Sequence, residues 1–132
     1  MASNSREEIL AHALDIIRGG GAISFDSVAQ SSGLSKPGLM YHFRTKEALM
    51  LGLVDHVADE WQREMDARLT SPFQGSTMRE RAGIYVEACG TREPDPADIV
   101  MLTDPRLRQE LTARWAERIS TWFVGLEQLA LP

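Results

Sequence analysis

Lys36, Tyr41, His42, Arg44 and Lys46 lie close together and are all equipped to hold an anion or the edge of a nucleobase. From Ser27 to Lys46 there are three cations and no Asp or Glu, although the whole chain carries a net charge of −5. A positive strip on an acidic protein suits the sugar-phosphate backbone of DNA. Lys46, if it begins a helix, combines an ammonium group with unpaired backbone N–H groups, which together clamp a phosphate. Tyr41 and His42 can each donate to a phosphate oxygen. Base reading then falls to the residues before them: Lys36 can donate to guanine O6 and N7, Pro37 can touch a thymine methyl, and Gly38 lets the backbone approach closely. With so few side-chain donors, part of the specificity is expected to come from DNA shape.

Two short helices joined by a tight turn would position these groups. Ser24 is expected to cap the first, its hydroxyl oxygen accepting an orphan backbone N–H, with Val28 and Ala29 turned inward. Gly33 ends that helix, because glycine takes the left-handed conformation without a steric penalty. Ser35 caps the second helix, and Pro37 falls in its first turn, where a missing N–H costs nothing. Leu39 and Phe43, at i, i+4 spacing, form its inward side. The opposite side carries Lys36, Pro37, Gly38, Tyr41 and His42. Thr45 caps the helix that follows. This order is that of a helix-turn-helix DNA reader.

The segment GLSKPGLMYHFRTKEAL resembles the recognition segment of the TetR (tetracycline-repressor-like) family of bacterial transcriptional regulators. The likeness extends back through Ile9, Leu10, Ala13, Leu14 and Gly21, and through SxxxVA from Ser24 to Ala29. Met40 stands where many family members place a tyrosine, with Tyr41 one position later; His12 and Ile17 stand where Ala and Phe are more common. The resemblance implies phosphate contacts from the positions of Tyr41 and His42, a homodimer on a near-palindromic operator, and a small effector bound between the later helices.

The chain has 132 residues, 43% hydrophobic and 25% charged, enough for one core or two small ones. Residues 1–50 hold five cations and five anions, so the whole acidic excess belongs to residues 51–132. A protein that coats DNA over its entire surface is therefore not expected. The lone cysteine, Cys89, excludes an intramolecular disulfide and a Cys-based zinc cluster, and its expected place is a buried apolar site. No apolar run approaches bilayer length and Met1–Asn4 does not begin a signal peptide, so a cytoplasmic protein without membrane contact is expected. The sequence holds no GxSxG, HExxH or phosphate-loop motif, and Glu7-Glu8 and Asp59-Glu60 read as solvated helix faces. Neither an enzyme, a metal site nor a cofactor is expected.

Along the chain, Ser5 and Glu8 suggest a capping box before a helix burying Ile9, Ala13, Ile16 and Ile17. Gly19-Gly20-Gly21 reads as a flexible connector, since each glycine costs about 1 kcal/mol in a helix interior. His12 reads as a partly buried spacer. After Thr45, Leu49, Leu53, Val57, Trp61, Met65 and Leu69 form an i+4 ladder, broadened by Met50, Val54 and Ala58. It predicts a helix of about 25 residues, or about 38 Å, leading away from the reader. A break at 71–76 precedes a helix capped by Thr77 and Glu80 that buries Met78, Ala82, Tyr85, Val86 and Cys89 before Gly90. Ile99 to Leu102 is a short helical piece. Asp104-Pro105 opens a last helix carrying Leu107, Leu111, Trp115, Ile119, Trp122 and Leu126.

Nothing alternates with a period of two, so the expected class is all-α. An N-terminal three-helix helix-turn-helix domain (1–48) precedes a helical effector-binding and dimerisation domain (49–132). The second part is short for the family: either the usual two dimerisation helices are missing, or the Leu107 to Leu129 helix replaces them. Its candidate ligand-binding residues are Trp61, Met65, Tyr85, Met101 and Trp115, which suit a small apolar effector. An alternative of another class is a DNA-binding adaptor whose second domain makes protein contacts and senses no small molecule. An apolar cavity lined by Trp61, Tyr85 and Met101 would favour the ligand sensor.

Overall fold

The computed structural model describes residues 6–93 and 95–125. Six α-helices follow in order: α1 (Arg6–Arg18), α2 (Phe25–Ser32), α3 (Lys36–His42), α4 (Lys46–Asp66), α5 (Met78–Thr91) and α6 (Arg108–Ser120). Short 3₁₀ turns lie at Phe73–Gly75, Pro96–Leu102 and Thr121–Phe123, and no strand occurs among the described residues. The all-α expectation holds. The suggested Ser5 cap lies outside the described residues, as do Leu126 and Leu129.

Local chemistry sets the helix ends. Ser24 Oγ accepts from Ser27 N–H at 3.0 Å, and Ser27 Oγ accepts in return from Ser24 N–H at 3.0 Å, so the cap is reciprocal. Gly33 ends α2 at φ 73°, with Leu34 N–H donating to Ala29 O at 3.0 Å. The triple glycine is more ordered than a flexible connector: Gly20 is left-handed, and Gly20 and Gly21 N–H donate to Ile17 O and Ile16 O, both at 2.9 Å. These are the paired bonds of a helix C-cap.

One apolar core runs from Ile9 through Leu39, Phe43, Leu53 and Trp61 to Leu111 and Trp122. The ladder along α4 is buried as expected at Leu49, Leu53, Val57, Trp61 and Met65. The helix is shorter than expected, 21 residues, because it closes at Ala67 and Leu69 belongs to the turn beyond. At Gly52 the α1, α3 and α4 segments meet. A Cβ there would stand 3.0 Å from Phe43 Cε1 and 3.3 Å from Leu10 Cδ2.

Three expectations for the second part need correction. The inward face of α5 is Met78, Arg81 and Ala88, while Val86 is 69% exposed and Cys89 is exposed. The face is rotated because Arg81 is drawn inside. Its Nε donates to Trp122 O at 2.8 Å and its Nη1 to Ser76 O at 3.0 Å, while Trp122 Nε1 donates to Arg81 O at 2.9 Å. A buried guanidinium with its donors satisfied by carbonyls avoids the penalty of an unpaired one. The Thr77 box is half formed: Thr77 accepts from Glu80 N–H, but the Glu80 carboxylate accepts from Thr70 Oγ1 at 3.0 Å. The last helix begins at Arg108 and not at Asp104-Pro105. Asp104 instead closes a turn, Oδ1 accepting from Arg106 N–H at 3.0 Å, and α6 gives way to a 3₁₀ turn at Thr121.

Ion pairs on the flanks bind the helices to one another. Arg114 and Arg118 of α6 pair with Asp55 at 2.7 and 3.2 Å, and Arg118 also reaches Asp59, so that residue does not lie on a purely solvated face. The Glu7 carboxylate lies 2.9 Å from His56 Nδ1 of α4. At the end of α1, Arg18 grips Asp95 with bonds of 3.0 to 3.2 Å. The Arg18 hydrogen bond outweighs burial and holds the Asp95 carboxyl below its ordinary range.

Two outcomes follow from this packing. Gly52→Ala should be close to neutral in urea unfolding, because about 1 kcal/mol of helix propensity offsets the crowding. Gly52→Val should cost about 2 kcal/mol or more by overpacking; a valine variant as stable as the parent would refute the close crossing. Because the Asp95 pKa is depressed, its contribution is present above the ordinary carboxyl value of about 3.9 and disappears as pH falls through the folded-state value. Asp95→Asn should therefore be less stable than the parent at neutral pH, and the gap should close in acid. A gap independent of pH would contradict the charge pairing.

Candidate nucleic-acid interface

The second helix of the expected pair, α3, is anchored on one side only. Leu39 and Phe43 are both fully buried, which stabilises each by about 2 kcal/mol relative to exposure. Arg6 lies over the Phe43 ring at 4.3 Å and its Nη1 donates to His42 O at 3.2 Å, so α1 holds the far end of α3. Nothing in the local sequence pattern marks Arg6 for this role. The near end is fixed by Ser35, whose Oγ accepts from Gly38 N–H at 3.1 Å. Pro37 occupies the first turn as expected.

The outward side carries the residues singled out for DNA. Ser35, Lys36, Pro37 and Tyr41 are exposed, Tyr41 at 84%, while Gly38 and His42 are half-buried. Tyr41 and His42 meet edge to face at 5.4 Å between ring centroids. Ser24 is exposed but its hydroxyl is already engaged in capping α2. Lys36 is not wholly free: its Nζ stands 3.5 Å from Asp26, with both side chains more than half exposed. Such a surface pair contributes at most about 1 kcal/mol and is readily exchanged for a phosphate. Lys46 begins α4 behind the Thr45 cap, whose Oγ1 accepts from Ala48 N–H at 3.0 Å. Its ammonium lies 3.3 Å from Asp104, a residue read from the sequence only as a helix start.

The second group of residues also comes together. Trp61 lies 5.9 Å from Tyr85 and 6.4 Å from Trp115, and Tyr85 lies 5.0 Å from Phe123. Met65 is buried and Met101 packs against the core. Trp61 borders a cleft of about 240 Å³ whose other walls are Cys89, Arg92, Glu93 and Asp98. Arg92 stacks over the Trp61 ring at 4.4 Å, and Trp61 Nε1 donates to Asp98 at 3.3 Å. The rim of that cleft is thus charged, which the aromatic periodicity alone did not indicate.

A capped pair of short helices, with the second anchored by two buried residues and open on its polar side, is the framework of a helix-turn-helix DNA-binding protein. Residues 9–53 match the family described as bacterial regulatory proteins, tetR family, which marks this segment as a TetR-type DNA-binding domain of a transcriptional regulator. The match runs from the first turn of α1 into α4 and covers only residues 49–53 of the second part. A comparison of the whole chain with curated proteins finds no match. No described helix is long and apolar enough to cross a membrane.

The cap on α3 offers a direct check. Ser35→Ala should weaken the hydrogen-exchange protection of the α3 amides by about 1 kcal/mol, leaving α5 and α6 unchanged. Unaltered protection in α3 would show that the cap does not hold the helix.

Proposed function

We propose that this chain is a ligand-responsive repressor that binds a near-palindromic operator as a homodimer. The observation that carries the reading is the one-sided anchoring of α3. Its apolar side is committed to the core, so the face with Lys36, Pro37, Gly38 and Tyr41 is left for the major groove. In the dimer, two such helices enter successive major grooves about 34 to 36 Å apart. Lys36 and Pro37 face base edges, while Tyr41, His42 and Lys46 hold phosphates and Ser24 and Ser35 present helix starts to the backbone. Residues 1–48 act as the reader and 49–132 as the sensing and dimerising part, in the cytoplasm. A small effector at the Trp61, Met65, Tyr85, Met101 and Trp115 cluster would favour a spacing of the readers that no longer fits, which requires it to bind that state more tightly.

The experiment selects an operator from a random duplex library and measures affinity for it and for its single-base variants, with the molar mass followed by light scattering. A dimer on a two-fold site is expected. Lys36→Ala should cost about 1 to 3 kcal/mol of discrimination at one or two positions, whereas Tyr41→Phe should weaken every sequence alike. Uniform effects of both changes, or a monomer bound to an asymmetric site, would refute the arrangement.

A further inference from the structure

Lys46 is required by the proposed function to hold a DNA phosphate, yet its ammonium is already engaged. Its Nζ lies 3.3 Å from Asp104 Oδ2. Asp104 belongs to the turn between Pro96–Leu102 and α6, far along the chain, and is only 6% exposed. Its Oδ1 is fixed by the Arg106 N–H at 3.0 Å. Its Oδ2 is buried and faces the Lys46 ammonium as an ion pair, with no hydrogen bond of good geometry from any described group. Arg106 Nε stands 3.7 Å from Oδ1, but that side chain is 83% exposed. Burial disfavours the Asp104 carboxylate, but the Arg106 N–H and Lys46 outweigh it and hold the carboxyl below its ordinary range. The group is therefore an anion at neutral pH, held by its own turn. Lys46, 38% exposed and on a flexible stem, is the partner able to move.

One ammonium cannot hold two anions without bringing them into mutual repulsion. A phosphate that approaches the start of α4 must displace Asp104 or share Lys46 with it. We propose that Asp104 is an intramolecular competitor for the DNA phosphate at Lys46, so that the position of the turn before α6 sets how much of the lysine's charge reaches DNA. This rests on the phosphate role of Lys46 given above. A cavity of about 360 Å³ bordered by Ile17, Ile23, Met50 and Thr103 adjoins the pair and leaves room for the two side chains to part. The device links the second part of the chain to the reader through a single charge pair. A shift of the turn away from α4 strengthens DNA binding, and a shift toward it weakens binding.

The test measures the salt dependence of binding to a labelled DNA duplex of arbitrary sequence, for which the phosphate contribution suffices. The parent, Asp104→Asn, Lys46→Ala and the double variant are compared. Asparagine keeps the Oδ1 acceptor of the turn; Asp104→Ser, which also retains a turn acceptor, is run beside it, and unfolding midpoints confirm that the variants are folded. Asp104→Asn should bind several-fold more tightly at low salt, with a slope against log salt steeper by up to about 0.9, the value of one phosphate contact. That gain should vanish in the Lys46→Ala background. A gain of the same size without Lys46 would overturn the proposal in favour of general charge repulsion, as would unchanged or weaker binding by both folded Asp104 variants. If Lys46→Ala binds like the parent, the lysine makes no phosphate contact and this inference fails while the reader stands. Absence of DNA binding by the parent at any salt would instead defeat the proposed function itself, and this inference with it.

Discussion

The reader depends on the burial of Phe43 where α1, α3 and α4 meet. Its ring lies under Arg6 and against the bare backbone of Gly52, with Leu10 beside it. A branched side chain at 52 would press on that ring and on Leu10. Since Leu39 is the only other fully buried side chain of that short segment, two contacts determine which way Lys36 and Tyr41 point. A seven-residue helix has no independent stability in water. Its orientation is borrowed from the longer helices on which it rests.

The second part is held differently. Its aromatic residues pack together around Trp61, but charge pairs surround them: Arg92 over the indole, Arg114 and Arg118 across to α4, and the buried Arg81 on the carbonyls near Trp122. The reader is joined to this part by Arg18 with Asp95 and by Lys46 with Asp104. Both links place a basic residue of the N-terminal part against an acidic residue of the later loops. The acidic excess of residues 51–132 thus has local uses.

Much of the reader is legible in the sequence because its determinants are local. Ser24, Gly33, Ser35 and Thr45 act within four residues of themselves, and the spacing of Leu39 and Phe43 reports one helix face. The ladder of α4 is equally plain. The observed α5 face differs from the periodic one because periodicity counts Val86 and Cys89 as apolar and Arg81 as polar. Carbonyls from the Trp122 region, brought in by tertiary packing, reverse that ranking. Asp104 shows the same limit: a cap-then-proline signature describes its neighbours, whereas the approach of Lys46 depends on how the whole chain folds back. Arg6 likewise has a role that only the folded α1–α3 contact creates.

The continuous α4 has one more consequence, which is geometric amplification. Its 21 residues make a rod of about 32 Å. Trp61 lies about 22 Å along it from Lys46, so pivoting the rod by about 5° there would carry the Lys46 end through about 2 Å, more than half the rise of about 3.4 Å between neighbouring bases on a strand. A small rotation near Trp61 would therefore put the start of the helix more than half a base step out of register.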